Sequence, residues 1–167
     1  MFNIDLRNRV LKIKLVVFDV DGVMTDGSMI YDENGLHYKT FNAKDGQGIA
    51  MLVKLGLKTA IITAKESQAV RRRFEDLGMT KLFQGVKNKL EAMKEMLKEF
   101  GLDMSEVAYM GDDLPDISIL KEAGLACCPS DAVSEVKNIC HFISEKRGGR
   151  GAVRELTDLI YKTQIKK

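Results

Sequence analysis

Two carboxylates stand one residue apart directly after an apolar run. Asp19 and Asp21 follow Leu15–Phe18, four apolar residues that predict a buried strand. Ligands of open α/β sheets bind at the carboxyl ends of the strands, so both side chains are expected at a binding edge. Two ionised carboxylates this close need a cation or a shared proton, and oxygen ligands suit Mg²⁺. The pair predicts a magnesium site, although two loop acids that cap a turn would give the same pattern.

A second acidic cluster follows another predicted strand. The chain reads Gly-Asp-Asp-Leu-Pro-Asp from residue 111 to residue 116, directly after the apolar run Val107–Met110. Parallel strands would bring this cluster beside Asp19. Asp113 is expected to cap a helix that runs towards Ala123, because aspartate is a preferred N-cap residue. Asp112 is then left as the third oxygen ligand of the predicted metal site.

Two further side chains could bind a phosphate group. Thr63 ends the strand predicted at residues 58–63, and its hydroxyl can donate a hydrogen bond to a phosphate oxygen. Lys89 lies in the first turn of a helix after Asn88, where its ammonium and the helix dipole both attract an anion. Either residue alone is more often structural or solvated. Four such signals in one order, each at a strand end or a helix start, indicate a single site.

Short apolar or β-branched runs alternate with amphipathic stretches along the chain. This alternation predicts an α/β domain with a mainly parallel sheet. Further strands are predicted at Leu125–Cys128 and at residues 141–143. Apolar residues recur three and four positions apart near Ile49, Val70 and Leu90, and a last helix is predicted from residue 152 to about residue 162. Four glycines stand where helices should end: Gly56, Gly78, Gly101 and Gly124.

One segment, residues 27–41, breaks this alternation. Two strand-like runs, residues 28–31 and 36–41, flank an Asn-Gly pair, which is a strong signal for a β-hairpin turn. The space between the first strand and the helix near Ile49 is too short for a folded insert, since a minimal domain needs roughly 40 residues. We therefore expect one domain over residues 1–167, with a protruding hairpin and a C-terminal tail from about residue 146.

Charge and cysteine content exclude several classes of protein. The 26 basic and 24 acidic residues are mixed along the chain and give a formal net charge of +2, so nucleic acid is not an expected partner. Residues 2–12 mix charged and apolar side chains unlike a signal peptide, and no apolar run reaches membrane-spanning length. We expect a cytoplasmic protein without membrane contact. Cys127, Cys128 and Cys140 lack zinc-site or disulfide spacing and are predicted to be small core residues.

The ordered set of motifs resembles the haloacid dehalogenase superfamily of phosphohydrolases. The resemblance covers nearly the whole chain and implies a Rossmann-like fold with helices on both faces of the sheet. It implies that Asp19 is the nucleophile and Asp21 the general acid and base, with Thr63 and Lys89 holding the phosphoryl group. It also implies that Asp19, Asp112 and the Asp21 carbonyl bind Mg²⁺.

Longer segments resemble the capless branch of this superfamily, in which a hairpin replaces the cap domain. They are residues 19–27, 41–48, 111–116 and 148–155. The resemblance implies a small substrate, an eight-carbon keto-sugar acid phosphate used in lipopolysaccharide synthesis. It also implies a homotetramer in which hairpins of neighbouring subunits close the sites. The implied substrate contacts are Asp21, Asn42, Ala43, Lys44, Asp45, Gly46, Ala50, Lys65, Arg73 and Lys89.

The residues themselves leave three points open. The loop at residues 42–46 leads into a helix start, which suits an anion or hydroxyl group, yet Asp45 could simply be the N-cap of that helix. After Thr63 the family usually has Gly-Arg, and this chain has Ala64 and Lys65, so a nine-carbon keto-sugar acid phosphate is a close rival substrate. Basic residues of the tail could contact substrate or remain solvated: Lys146, Arg147 and Arg150.

Two other classes of function share this kind of fold. A non-catalytic assembly or regulatory module would not need both Asp19 and Asp21. A phosphoacceptor receiver domain would also place an aspartate at a strand end, but it would lack the second acid of the pair. The Asp19 and Asp21 pair therefore favours an enzyme.

Overall fold

The computed structural model describes residues 4–166, and its centre is a six-stranded sheet whose neighbouring strands are all parallel. In chain order the strands are β1 (Leu15–Phe18), β2 (Ile30–Tyr31), β3 (His37–Tyr38), β4 (Lys58–Ile62), β5 (Lys81–Phe83), β6 (Val107–Met110), β7 (Leu125–Cys128) and β8 (Phe142–Ile143). The sheet order is β5, β4, β1, β6, β7, β8, while β2 and β3 form a separate antiparallel pair. The predicted parallel α/β architecture is confirmed.

Seven helices lie within the described residues 4–166, and several begin and end as the sequence predicts. They are α1 (Ile4–Lys12), α2 (Ala43–Lys54), α3 (Gln68–Asp76), α4 (Lys89–Phe100), α5 (Ile117–Leu120), α6 (Ser134–Lys137) and α7 (Ala152–Gln164). In α4, the Asn88 side chain caps the start by accepting a 3.2 Å hydrogen bond from the backbone N–H of Glu91. Gly101, with φ of +64°, ends the helix in the left-handed conformation that glycine adopts most readily. Both ends of α4 are therefore marked by local sequence signals.

Helices cover both faces of the sheet because successive side chains of a strand point to opposite faces. Val16 and Phe18 of β1 belong to a buried apolar cluster with residues of α1, α2 and α7. Leu15 and Val17 belong to a second cluster with residues of α4, α5 and α6. All four side chains are fully buried, which explains why β1 is a continuous apolar run.

The hairpin lies where the sequence predicts it, but its strands are only two residues long. Ile30 pairs with Tyr38, and Tyr31 pairs with His37. The Asp32 side chain closes the turn, accepting hydrogen bonds from the backbone N–H groups of residues 34 and 36 at 2.9 and 2.8 Å. The prediction of strands at 28–31 and 36–41 was wrong in length, because an isolated pair of strands has no third strand to support its ends.

Other differences from the predictions concern short elements. Helix α1 and strand β5 were missed. The three residues of β5 are too few to show a strand period. Asp113 caps a 3-10 turn at Leu114–Asp116, and α5 ends at Leu120 instead of running towards Ala123. Cys127 and Cys128 are fully buried, as expected of core residues, whereas Cys140 is only partly buried at the edge of the core. Among residues 4–166, no helix combines the length and the apolar character that a bilayer crossing requires.

Candidate active site

The carboxyl ends of β1 and β6 bring the two acidic motifs together. Phe18 is the register partner of Met110, and the backbone N–H of Asp19 donates a 3.0 Å hydrogen bond to the Met110 carbonyl. A cavity of about 230 Å³ opens at this edge of the sheet. Its lining residues are Asp19, Asp21, Met29, Thr63, Ala64, Lys65, Lys89, Asp112, Asp113, Pro115 and Asp116.

A larger cavity, of about 440 Å³, lies beside the start of α3 and strand β5. None of the candidate site residues lines it. Size alone would favour this cavity, but the acidic motifs, Thr63 and Lys89 all converge on the smaller one. We therefore place the candidate active site at the carboxyl ends of β1, β4 and β6.

The loop after β1 needs a glycine at position 22. A single tight turn covers Val20–Met24, and Gly22 within it has φ of +88°, a conformation that side chains rarely tolerate. A Cβ atom at Gly22 would lie 2.0 Å from Asp112 Oδ2. The glycine thus lets the loop that carries Asp21 approach the Asp112 carboxylate closely.

Lys89 enters the site as a buried cation between two carboxylates. Its Nζ atom lies 3.0 Å from Asp19 Oδ1 and 2.7 Å from Asp116 Oδ1. Burial lowers the pKa of Lys89, but the charges of Asp19 and Asp116 outweigh burial and leave its pKa above the usual value. Lys89 is therefore held in its charged form beside Asp19.

Asp116 is a residue of this site that the sequence did not single out. Besides the Lys89 ammonium, its carboxylate accepts hydrogen bonds from the Tyr109 hydroxyl at 2.6 Å and from the backbone N–H groups of Asp112 and Asp113 at 3.0 and 3.3 Å. The side chain is 1% exposed. Its only sequence signal was its place at the end of the acidic cluster at residues 111–116.

Lys39 was also missed, because it lies in the hairpin segment far from the acidic motifs along the chain. Its ammonium donates a hydrogen bond to Asp21 Oδ1. The Lys39 side chain is 2% exposed, whereas the side chain of Asp21 is 20% exposed. The hairpin segment therefore reaches the second carboxylate of the first motif.

The carboxylates fit a divalent cation bound through oxygen. Oxygen atoms of Asp19, Asp112 and Asp116 lie within 4.8 Å of one another, and Asp112 Oδ1 is buried without a hydrogen-bond donor. Burial first, and then the charge of Asp116, raises the pKa of Asp19 to about 6. Burial first, and then the charge of Asp19, raises the pKa of Asp112 to about 8. A bound cation would offset the repulsion between these carboxylates and would give Asp112 Oδ1 a partner. Mg²⁺ prefers oxygen ligands of this kind.

Within this acidic group, Asp19 and Asp112 are better ligands than Asp116. The Asp116 oxygens already accept hydrogen bonds from an ammonium, a phenol and two backbone N–H groups. Asp112 Oδ1 has no such donor. The geometry therefore favours the predicted pair of carboxylate ligands and gives Asp116 the task of fixing Lys89.

Thr63 and Lys65 line the cavity from the end of β4. Thr63 follows the last residue of β4 and is 3% exposed, and its backbone N–H donates a 3.0 Å hydrogen bond to the Phe83 carbonyl. Lys65 lies at the exposed rim, where its Nζ atom is 3.6 Å from the Met29 sulfur. Thr63 is therefore held by the sheet, whereas Lys65 is an exposed side chain at the edge of the cavity.

The start of α2 is organised differently from the sequence expectation for Asp45. Asn42 is the N-cap, and its Oδ1 accepts hydrogen bonds from the backbone N–H groups of Lys44 at 2.8 Å and Asp45 at 3.2 Å. Asp45 as N-cap was therefore wrong. Its carboxylate accepts a 2.9 Å hydrogen bond from the backbone N–H of Arg154 at the start of α7, where Gly151 offers no side chain to cap that helix.

Arg73 packs against the same helix start. Its Nη2 atom donates a 3.0 Å hydrogen bond to the Asn42 carbonyl, and its guanidinium lies 5.8 Å from the centre of the Phe41 ring. A Cβ atom at Gly46 would lie 2.1 Å from Arg73 Nη2, so the glycine makes room for the arginine. The predicted contacts that do not line the Asp19 cavity of their own chain are Asn42, Ala43, Lys44, Asp45, Gly46, Ala50 and Arg73.

Basic residues of the tail form ion pairs at the surface. Arg147 Nε lies 3.2 Å from Asp131 Oδ2, and Arg150 Nη2 lies 3.0 Å from Asp26 Oδ2. Lys146 is exposed. In this chain the two arginines therefore tie the tail to neighbouring loops and do not line the cavity.

Sequence relatives of the chain are phosphatases. A family model described as a haloacid dehalogenase-like hydrolase matches residues 79–156. The chain is 37% identical over 161 residues to the 3-deoxy-D-manno-octulosonate 8-phosphate phosphatase KdsC of Haemophilus influenzae, which is 96% of this chain and 89% of that protein. The similarity therefore includes β1 and the hairpin, which the family model does not cover.

Two crystal structures share the fold nearly end to end. A probable YrbI family phosphatase from Pseudomonas syringae superposes with a TM-score of 0.95 at 45% identity, covering 97% of this chain and 92% of that one. The 3-deoxy-D-manno-octulosonate 8-phosphate phosphatase from Moraxella catarrhalis, in complex with a magnesium ion, a phosphate ion and a KDO molecule, superposes with a TM-score of 0.94 at 38% identity. That match covers 96% of this chain and 92% of that one.

Proposed function

Because the chain belongs to the haloacid dehalogenase-like hydrolases, in the family of the 3-deoxy-D-manno-octulosonate 8-phosphate phosphatases, we propose that it hydrolyses this keto-sugar acid phosphate. The products are 3-deoxy-D-manno-octulosonate and inorganic phosphate, a step of lipopolysaccharide synthesis. One observation carries the proposal: Asp19 Oδ1 lies 3.0 Å from the Lys89 ammonium in the cavity that Thr63 and Asp112 also line. A carboxylate beside a cation can act as a nucleophile towards phosphorus.

The residues divide the reaction into two steps. In the first, an oxygen of Asp19 forms a bond to phosphorus while the ester bond to the sugar oxygen breaks, and Asp21 gives its proton to that oxygen. In the second, Asp21 removes a proton from water, which attacks phosphorus and releases phosphate from Asp19. Lys89 and the Thr63 hydroxyl hold the phosphoryl oxygens during both steps.

A magnesium ion is the proposed cofactor. The Asp19 and Asp112 carboxylates and the Asp21 carbonyl would hold it, in agreement with the buried Asp112 Oδ1 that lacks a donor. When bound, Mg²⁺ supplies positive charge that offsets the negative charge of the phosphoryl oxygens. Asp116 stays outside this ligand set, since its oxygens already accept hydrogen bonds from Lys89, Tyr109 and the backbone.

Substrate contacts in the chain's own cavity are proposed for Asp21, Lys65 and Lys89, which line it. Contacts from the start of α2, Ala50 and Arg73 stay a prediction, because these residues lie outside that cavity. The relatives are phosphatases of the eight-carbon ester, which favours this substrate over the nine-carbon rival and over a non-catalytic module.

We also propose that the chain acts as one domain in a cytoplasmic homotetramer. Five apolar side chains of the hairpin segment are 40–60% exposed in a single chain: Met29, Ile30, Tyr31, Leu36 and Tyr38. An exposed apolar surface of this kind supports an interface, and a closed symmetric assembly would bury it. Three cysteines without disulfides agree with a reducing compartment.

Phosphate release in the presence of Mg²⁺ tests the proposal. The substrates are the eight-carbon keto-sugar acid phosphate, its nine-carbon relative and p-nitrophenyl phosphate, and the matched control is Asp19→Asn. We expect the highest kcat/KM for the eight-carbon ester and no turnover by folded Asp19→Asn, since an amide is a poor nucleophile. Turnover by Asp19→Asn at the wild-type rate would remove Asp19 from this role. If the wild-type protein releases no phosphate from any of these esters, the proposed phosphatase activity is refuted.

A further inference from the structure

Lys39 is buried in a segment whose other face is open to solvent. Its side chain is 2% exposed, whereas Leu36 and Tyr38 are 60% and 51% exposed as residues. Successive side chains of an extended segment point to opposite sides, so Lys39 can turn towards the domain while its neighbour Tyr38 stays exposed. Burying an ammonium is costly unless it is paired, so the partner of Lys39 fixes where this side chain lies.

That partner is Asp21. In the part of the chain that the structure describes, Lys39 is the only side chain that donates a hydrogen bond to the Asp21 carboxylate, and it does so at Oδ1. Asp21 lines the cavity, but Lys39 does not. The ammonium therefore occupies Oδ1 of Asp21, and among the described residues no side chain donates a hydrogen bond to Oδ2.

Both ends of the hairpin segment touch the site. Met29, just before β2, lines the cavity and lies 3.6 Å from the Lys65 ammonium. Lys39, just after β3, holds Asp21 from the other end. A displacement of the hairpin would therefore move a contact of Asp21 as well as part of the cavity wall.

We propose that Lys39 is a positioning residue, whose ammonium turns the Asp21 carboxyl group so that Oδ2 faces the oxygen of the departing sugar. This rests on the proposed function, in which Asp21 gives the proton to that oxygen as its bond to phosphorus breaks. Lys39 itself transfers no proton and touches no substrate. Because Lys39 belongs to the hairpin segment, proton transfer by Asp21 also depends on the position of the hairpin.

Leaving groups that differ in their need for a proton test this role. We compare kcat/KM for the keto-sugar acid phosphate, whose alkoxide leaves poorly, with kcat/KM for p-nitrophenyl phosphate, whose phenolate leaves without a proton. This parameter reports only steps up to the first phosphoryl transfer. For Lys39→Met we expect a loss of about 100-fold on the sugar ester and less than about fivefold on the aryl ester, because general acid catalysis contributes roughly 10²–10⁴-fold.

Two variants accompany Lys39→Met. Lys39→Arg keeps the cation and should hold the ratio of the two kcat/KM values within about threefold of wild type, far from the shift expected when general acid catalysis is lost. Lys54→Met removes an exposed lysine at the end of α2 and should leave both values unchanged. Thermal melting with Mg²⁺ establishes that each variant is folded. If Lys39→Met does not fold, Lys39→Gln replaces it in the same comparison.

Equal losses on both esters, or no loss on either, would overturn the role of Lys39, and so would Lys39→Arg behaving like Lys39→Met. These results would leave the proposed function intact as long as the wild type releases phosphate and Asp19→Asn does not. A wild type without activity would instead refute the proposed function itself. The two failures are therefore distinguishable.

Discussion

The hydroxyl group of Tyr109 donates a 2.6 Å hydrogen bond to Asp116 Oδ1, the same oxygen that accepts a 2.7 Å hydrogen bond from Lys89. Burial raises the pKa of Tyr109 well above its usual value, so the phenol keeps its proton and remains a donor. A neutral donor and a buried cation thus share one carboxylate. This arrangement fixes Lys89 beside Asp19 without any contact between Tyr109 and the cavity.

Removing the Tyr109 hydroxyl should therefore affect both stability and turnover. For Tyr109→Phe we expect the free energy of unfolding to fall by about 1–3 kcal/mol, because a buried acceptor loses a donor. We expect kcat to fall several-fold as Lys89 gains freedom. Urea unfolding and steady-state kinetics measure the two effects. Tyr161→Phe is the matched control, and equal losses in both variants would contradict a specific role for Tyr109.

The pKa of Asp112 predicts how stability depends on pH without metal. Its folded pKa of about 8 lies above the ordinary aspartate value of 3.8, so the folded state binds the proton more tightly than the unfolded state. This contribution is fully present below about pH 4 and is lost as pH rises towards 8. Melting temperatures between pH 5 and pH 8.5 without Mg²⁺ should fall with pH, and less steeply for Asp112→Asn. Equal slopes would contradict the prediction.

Added Mg²⁺ should reverse part of this loss. The ion competes with the proton for Asp112, so Mg²⁺ affinity should increase with pH. Asp112 loses its proton as the pH approaches its pKa of about 8. We therefore expect Mg²⁺ to raise the melting temperature of the wild type more at pH 8 than at pH 6. The Asp112→Asn variant should show little increase at either pH. An equal rise in melting temperature at both pH values would mean that Mg²⁺ binds at another site.

Lys65 should contribute to substrate binding more than to the chemical step. It lies at the exposed rim of the cavity and follows Thr63 by two residues, so it can approach an anionic group without contacting the metal ligands. Lys65→Ala should raise KM more than it lowers kcat. Steady-state kinetics on the keto-sugar acid phosphate decide this, with Lys87→Ala as an exposed control. A large fall in kcat at unchanged KM would mean that Lys65 acts chiefly by stabilising the transition state.

The hairpin should hold the assembly together. Tyr31 and Tyr38 are 60% and 51% exposed in one chain, and replacing both with Asp puts charge into the proposed interface. We expect light scattering to show dissociation and kinetics to show a sharp drop in kcat/KM. Ile165 lies just after α7 and is 51% exposed, and Ile165→Asp should leave the assembly intact. A dissociated Tyr31→Asp, Tyr38→Asp variant with full activity would refute a role for the hairpin in catalysis.

The sequence alone determined the positions of most candidate chemical groups. Asp19 and Asp112 each follow a short run of buried apolar residues, and Thr63 follows a third, so their arrival at one sheet edge depends only on the parallel order of the strands. Lys89 was equally predictable, since its helix begins at the capping residue Asn88. These signals are local, because a strand or a helix start is specified by adjacent residues.

Only the tertiary structure decided the partners of these groups. Lys39 meets Asp21 across 18 residues, Lys89 meets Asp116 across 27, and Arg154 meets Asp45 across 109. Such pairs leave no periodic pattern in the sequence. They form because a buried charge or an uncapped helix end is costly, and the fold brings a partner to each. The chemistry of the side chains can be read locally, but the contacts that hold them in place depend on how distant segments pack.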